Sequence, residues 1–328
     1  MIIVTGAAGF IGSNVVAEFE AAGEGPIVAV DWFEDGEKWR NLAKRRVAAF
    51  VAPEGLLPFL DDVAREVKLV VHMGAISATT ERDVDKLVRL NINATVALWD
   101  WCAAHGVPFI YASSAATYGG RESGFGDDES VAALAALRPL NAYGWSKKAT
   151  DDIFAMRLAA GAPRPPQWAG LKFFNVYGPN EYHKGDMMSV ACKMFDTVAR
   201  GDTVRLFRSY RDDIADGEQR RDFVYVKDCT RTILELYRRP QVSGIFNIGS
   251  GRAQSFIDIV RALELALNRP VDVEFIEMPE ALRGRYQYFT QADMAKLKAT
   301  GIGTAFRDLG AGVMDYVTGH LARDDRYI

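Results

Sequence analysis

Short apolar runs recur along the chain, separated by longer stretches of mixed polarity. Ile2-Ile3-Val4, Ile27-Val28-Ala29-Val30, Leu69-Val70-Val71 and Phe109-Ile110-Tyr111 are each continuous, without the polar alternation of a half-exposed strand. Such runs predict parallel strands buried on both faces. The intervening stretches are long enough for crossover helices, the first running from the end of a glycine-rich turn to about Ala22. Repeated strand–helix units predict an α/β fold with a doubly wound parallel sheet. Two later runs, Phe223-Val224-Tyr225-Val226 and Ile245-Phe246-Asn247-Ile248, are expected to return to that sheet.

The turns that follow the strands carry the chemistry. The first strand runs straight into Gly6-Ala7-Ala8-Gly9-Phe10-Ile11-Gly12. Glycines so spaced between a strand and a helix permit a tight turn and close backbone approach to a pyrophosphate, with a helix N-terminus aimed at the anion. The second strand ends at Asp31, placed to accept hydrogen bonds from an adenosine ribose, which favours NAD. Lys38 and Arg40 follow and suit a 2′-phosphate, which favours NADP, so the residues leave that choice open. The third strand leads to Gly74-Ala75, a turn expected over the cofactor. The fourth leads to Ser114, at the carboxyl end of a strand, where open α/β sheets place their ligands. Tyr143 and Lys147 lie four residues apart and share a helix face. A nearby ammonium favours a phenolate, lowering the tyrosine pKa from its usual value of about 10. A tyrosine so tuned takes a proton from an alcohol while a nicotinamide takes the hydride, and Ser114 can bond the reacting oxygen.

These turns define a dinucleotide-binding domain over residues 1–175 and 222–249, with a smaller mixed α/β substrate domain over 176–221 and 250–328. The 328 residues are 49% hydrophobic and 25% charged, an ordinary globular balance. A formal net charge of -4 gives no basis for a nucleic-acid or anionic-membrane partner. Cys102, Cys192 and Cys229 form neither a disulfide framework nor a CxxC pair, which points to a reducing, cytoplasmic setting. The four histidines lack metal-ligand spacing, so no metal is expected. No apolar run is long enough for a bilayer, and no signal peptide is evident.

The stretches IIVTGAAGFIGSN, GAISATTE, YASSAATYGG, PLNAYGWSK, FFNVYGPNEYHKG, RRDFVYV, GIFNIGSGRAQSF and RGRYQYFTQAD carry a resemblance nearly end to end. The chain resembles the extended short-chain dehydrogenase/reductases, in their nucleotide-sugar epimerase and dehydratase group, and within it the branch acting on ADP-linked heptose. The resemblance implies a Rossmann domain, tightly held NADP and a homo-oligomer, a pentamer in that branch. It implies inversion at C6″ of an ADP-heptose substrate, a step toward the lipopolysaccharide core. It also implies that Tyr143 and Lys184 are acid/base groups on opposite faces of the sugar carbon. Taken alone, a lysine between His183 and Gly185 reads as a solvated loop residue. By position in the family motifs, Gly6, Gly9, Phe10, Ile11, Gly12, Asp31, Trp32, Lys38, Met73, Gly74, Ala75, Ile76, Ser77, Asn91, Lys147, Val176 and Lys184 would meet the cofactor. Ser114, Asn175, Asp186, Lys193, Phe207, Arg208, Ser209, Tyr210, Arg221 and Tyr286 would meet the substrate.

Several positions depart from the family pattern. Trp32 replaces a smaller polar residue, Pro53 stands where a cofactor-contacting lysine is usual, and Met73 replaces an acid. Dehydratase relatives carry an Asp-Glu pair after the serine; Ala115 and Ala116 occupy those places, which disfavours water elimination. C6″ lies outside the sugar ring, so rotation about one bond can exchange its faces. The stretch 205–221 mixes five arginines with four acids, and arginine forks suit a diphosphate. The segment between Gly120 and Leu140 is longer than usual, with a surface helical turn at Val131–Leu137 to which no role is assigned. Other readings are a ring 4-epimerase or a reductase of nucleotide sugars, or a non-catalytic NAD(P)-sensing protein. Retention of Ser114, Tyr143 and Lys147 argues against a sensor, which needs no proton-transfer set.

Overall fold

The computed structural model describes residues 1–283 and 286–328; Gly284 and Arg285 of the C-terminal motif lie outside the described residues. Twelve strands occur in chain order: β1 (Ile2–Thr5), β2 (Ile27–Val30), β3 (Ala49–Val51), β4 (Leu69–His72), β5 (Phe109–Ser114), β6 (Trp168–Phe173), β7 (Asn175–Tyr177), β8 (Val204–Phe207), β9 (Arg220–Tyr225), β10 (Gly244–Ile248), β11 (Ala253–Ser255) and β12 (Val273–Ile276). Seven of them form one parallel sheet in the order β10-β6-β5-β4-β1-β2-β3. β1, β2 and β4 are buried at every residue, which is why their sequences read as unbroken apolar runs. The strand order reverses between β1 and β4, the kind of switch point at which open α/β sheets place their ligands, outside the carboxyl ends of the strands.

One expected strand falls elsewhere. Ile245–Ile248 pairs with β6 as anticipated, but Phe223–Tyr225 does not join the large sheet. It forms the middle of a three-stranded sheet, parallel to β7 and antiparallel to β11. The free edge of β6 is already taken by β10, and the chain leaves β9 directly into the helix Val226–Tyr237. β8 and β12 form a separate parallel pair. The helical turn Val131–Ala135 is also less superficial than expected, since Leu134 and the following Leu137 are buried in the main core.

Two apolar cores result. The larger surrounds the seven-stranded sheet. The smaller gathers Tyr177, Phe195, Leu206, Phe223, Ile259 and Val313, and it also takes in Phe10 from the glycine turn. Among the described residues no helix is long and apolar enough to cross a membrane, and no cluster of metal-ligating side chains occurs. All three cysteines are free thiols.

Trp99, on the helix Ala94–His105, stacks on Phe154 with ring centroids 4.0 Å apart, and it meets Phe109 and Trp168 of the sheet. Phe154 belongs to the helix Ala142–Ala159, so this aromatic stack seats that helix on β5 and β6. Trp99→Ala would leave a large cavity there and is expected to cost about 3–5 kcal/mol, read as a lowered urea midpoint.

Candidate active site

The glycine turn is built by backbone approach. Gly6 has φ +62, and a Cβ placed on it would lie 2.7 Å from the backbone of Gly74; one on Gly12 would lie 2.0 Å from the Gly6 carbonyl oxygen. The turns after β1 and β4 therefore touch, with no room for side chains between them. The helix Phe10–Ala21 opens at Gly9 without a side-chain cap, which leaves its first N–H groups for an anion. This side-chain-free cradle fits the pyrophosphate of a dinucleotide.

Asp31 sits at the end of β2 with one carboxylate oxygen accepting from the Ala8 N–H at 2.8 Å. The other is 2.6 Å from the Lys38 ammonium, which also donates to the Trp32 carbonyl. The Trp32 indole donates to Glu54 at 2.8 Å, beside Pro53, and Arg40 pairs with Glu37. The cations nearest the ribose end are thus both engaged by carboxylates.

A directional chain supports the second turn. The Gly74 N–H donates to the Thr5 hydroxyl, which lies 2.6 Å from His72 Nδ1; His72 Nε2 lies 3.0 Å from the Thr95 hydroxyl. Thr95 donates its own hydrogen to the Asn91 carbonyl. Its oxygen can then only accept, so the network assigns the proton to Nε2 and leaves Nδ1 to accept from Thr5. Burial pushes His72 down to about 3, with the Lys147 ammonium adding to the effect, so the ring is neutral. Asn91 was expected at the cofactor. Instead it is fully buried, holding both the N–H and the carbonyl of Ile76 and donating to Ser146. It shapes the turn from behind. Met73 donates to the Thr5 carbonyl, and Ala75 and Ser77 flank Ile76, the latter exposed.

Asn141 caps the helix Ala142–Ala159 by accepting from the Gly144 N–H. Tyr143, Lys147 and Asp151 then recur every four residues on one face. Lys147 is buried and donates to the Ala112 carbonyl at 2.8 Å. Asp151, wholly buried, accepts from Tyr111 at 3.0 Å and Ser113 at 2.7 Å, with Lys172 at 3.8 Å. The half-buried Tyr143 phenol meets the Ser114 side chain, so the structure brings these two together. The expected tuning by Lys147 is not present. Burial raises the Tyr143 pKa, and the nearby Ser114 side chain opposes the shift. The Lys147 ammonium is itself pushed down to about 8 by burial, opposed by Asp151. Tyr143 accordingly holds its proton near neutrality for most of the time.

Lys184 lies on the 3-10 segment Tyr182–Met187, with its ammonium 5.0 Å from the centre of the Phe10 ring. The loop thus returns Lys184 to the glycine turn. Val176 and Asn175 share β7, Val176 partly buried and Asn175 exposed. Ile11 is partly buried beside the small core that holds Phe10. Of the five arginines in 205–221, four are committed to acids: Arg205 to Glu274, Arg208 to Asp216, Arg211 to Asp213 and Arg220 to Glu218. Arg221 is different. It is buried, its one hydrogen bond among the described residues is to the Arg220 carbonyl, and it lies 5.3 Å from the Tyr286 ring, which Phe207 meets edge-on. Ser209 donates to Asp216 and Tyr210 to Glu277.

Asp186 and Lys193 are not brought to Tyr143. They line a cavity of about 1100 Å³ together with Trp39, Lys44, Tyr182 and Arg326, where Lys193 donates to the Asp186 carbonyl. Sequence reasoning also missed Glu181, a buried carboxylate three residues before Lys184, although it stood inside the quoted motif FFNVYGPNEYHKG.

The comparisons with known proteins agree with this geometry. Residues 2–249 match the model of the NAD dependent epimerase/dehydratase family. The ADP-L-glycero-D-manno-heptose-6-epimerase of Nitratidesulfovibrio vulgaris is 46% identical over 100% of both chains. The crystal structure of the Helicobacter pylori enzyme of that name superposes with TM-score 0.81 at 27% identity, covering 97% of this chain and 95% of that one. MoeE5 in complex with UDP-glucose and NAD superposes with TM-score 0.71 at 26% identity, covering 97% of each chain. The chain is a Rossmann-fold enzyme and belongs to the NAD-dependent epimerase/dehydratase family.

His72 gives a test of the site's buried network. Its folded pKa of about 3 lies below the usual 6.5, so below pH 6.5 the unfolded chain binds a proton that the folded one refuses. Its contribution to stability is therefore lost as pH falls from 6.5 toward 3, by about 1.4 kcal/mol per unit. His72→Gln is expected to flatten this acid limb, measured by urea unfolding at pH 7, 5.5 and 4.

Proposed function

We propose that this chain is a nucleotide-sugar epimerase that inverts C6″ of ADP-D-glycero-D-manno-heptose to give the L-glycero epimer. The observation that carries the reading is the placement of two different proton carriers beside one dinucleotide cradle: Tyr143 against Ser114, and Lys184 over Phe10. A bound NAD(P) would supply the hydride acceptor and donor for C6″. The protein's part is to move the proton. Ser114 orients the C6″ oxygen, and in one orientation of the exocyclic group the deprotonated fraction of Tyr143 takes the alcohol proton as hydride leaves C6″. After rotation the oxygen faces away from Tyr143, and the Lys184 ammonium gives it a proton as hydride returns; the two groups then re-equilibrate with solvent. Burial lowers the Lys184 pKa, which eases its release of a proton. Arg221, desolvated and without a carboxylate partner among the described residues, would hold the diphosphate with Tyr286 against it. A ring 4-epimerase would need only the Ser114–Tyr143 pair; Lys184 is what favours C6″. Ala115 and Ala116 supply no acid for dehydration.

For the cofactor we propose NADP, with Lys38 exchanging the Asp31 carboxylate for the 2′-phosphate. The existing Lys38–Asp31 pair favours the second form, NAD, whose ribose diol would donate to Asp31. A homo-oligomer of five chains, a cytoplasmic setting and a substrate domain formed by 176–221 and 250–328 complete the reading.

Incubation with ADP-D-glycero-D-manno-heptose, followed by NMR, is expected to give the L-glycero product with no solvent deuterium at C6″ in heavy water. Turnover of another nucleotide sugar in its place would reject the substrate. Tyr143→Phe should lower kcat by about 10²–10⁴ while cofactor stays bound, and Lys184→Ala should do likewise. Heat-released cofactor should carry a 2′-phosphate; its absence would assign the ribose to Asp31.

A further inference from the structure

Glu181 has no exposed surface, yet among the described residues no arginine or lysine lies in ion-pair contact with its carboxylate. It is satisfied by hydrogen bonds from three separate segments. Its Oε1 accepts from the Gly178 N–H at 3.2 Å, the Ser189 hydroxyl at 2.7 Å and the Tyr316 hydroxyl at 3.2 Å, and its Oε2 accepts from the Ser189 N–H. Gly178 and Ser189 are the two ends of the loop on which Lys184 rides. Ser189 also caps the helix Val190–Arg200 by accepting from Cys192, and Tyr316 projects from the helix Leu309–Tyr316 in the small core. One carboxylate thus closes the loop at both ends and fastens it to two helices. The Lys184 N–H donates to the Glu181 carbonyl at 3.0 Å, which continues the clasp to the lysine itself.

The same carboxylate acts on the Lys184 ammonium through space, raising its pKa, while burial raises the pKa of Glu181 itself, opposed by its hydrogen bonds from Ser189. The charged and titratable groups facing Lys184 are Glu181, Cys192, Lys193 and His183. Burial keeps the Cys192 thiol protonated, and Lys193 acts in the opposite sense. Glu181 in turn faces Lys184, Ser189, Tyr182, Tyr316 and Cys192. A charged Glu181 therefore opposes the effect of burial on the ammonium.

We infer that Glu181 is a positioning residue for Lys184: its carboxylate clasps both ends of the 178–189 loop, so that the ammonium stands over Phe10 with that acid inside the same loop. The inference rests on Lys184 acting as the second acid/base.

The experiment compares the parent holoenzyme with Glu181→Gln and Lys184→Ala. Glu181→Gln keeps the volume, removes the charge and turns an amide N–H₂ toward donors. One readout is chemical: competitive labelling with acetic anhydride across pH, with Lys184 scored against Lys193 by mass spectrometry. Loss of the neighbouring charge should move the Lys184 profile to lower pH by about one unit, so that the amine labels roughly tenfold faster near neutrality. The other readout is kinetic: kcat for C6″ inversion should fall at least about tenfold with KM little changed, a split that marks loss of an interaction made in the transition state. A parent labelling profile with a parent kcat overturns the proposal. If Lys184→Ala is as active as the parent, the acid/base reading fails on its own, and the labelling shift still decides whether Glu181 positions the lysine. Should Glu181→Gln not fold, Tyr316→Phe replaces it, removing one donor and leaving the charge. A several-fold loss of kcat at unchanged KM and melting temperature is then expected, and parent kcat overturns the clasp.

Discussion

The register between the helix Ala142–Ala159 and the sheet beneath it depends on one buried carboxylate. Asp151 has no exposed surface, and burying a carboxylate is costly unless its oxygens are satisfied. Tyr111 and Ser113, two residues apart on one face of β5, satisfy it, and Lys172 on β6 lies opposite. A slip of the helix by one turn would strand all four groups. Lys147, one turn earlier, has the same requirement and meets it at the Ala112 carbonyl. With these two residues bound to β5, Tyr143 has one place to go, and that place is beside Ser114. The placement of Tyr143 beside Ser114 is thus set by buried polar groups that lie behind them.

How far this was legible in the sequence follows from range. The large sheet was readable because strands buried on both faces leave continuous apolar runs, and β1, β2, β4 and β5 all do so. The glycine turn and the Tyr143–Lys147 spacing are local patterns with local causes. β9 was misplaced because its apolar run looks the same whether it pairs with β6 or with β7 and β11; the competitor for the β6 edge, β10, lies some twenty residues away in sequence. Asn91 was credited with a ligand because a buried amide and a ligand-facing amide have the same letter. Glu181 was overlooked because its partners, Gly178, Ser189 and Tyr316, are brought together only by the second core.

The tyrosine was the instructive failure. Proximity of an ammonium in sequence predicted an acidified phenol. In the fold the ammonium is turned toward a backbone carbonyl and a carboxylate, and desolvation dominates both groups. Spacing on a helix reports which side chains share a face. It does not report where their charges are spent. Phe10 makes the complementary point. It belongs by sequence to the nucleotide turn and by packing to the second core, so the cradle and the loop bearing Lys184 are parts of one packed surface.

Arg221 carries a consequence for the economy of the molecule as a whole. Its neighbours on the 205–221 stretch neutralise one another, whereas its guanidinium is buried without a counter-ion among the described residues, between the rings of Phe256 and Tyr286. Burying a cation in this way is costly. Under the proposed function the nucleotide would offset that cost, and the chain's resistance to unfolding would be linked by mass action to how much of that metabolite surrounds it.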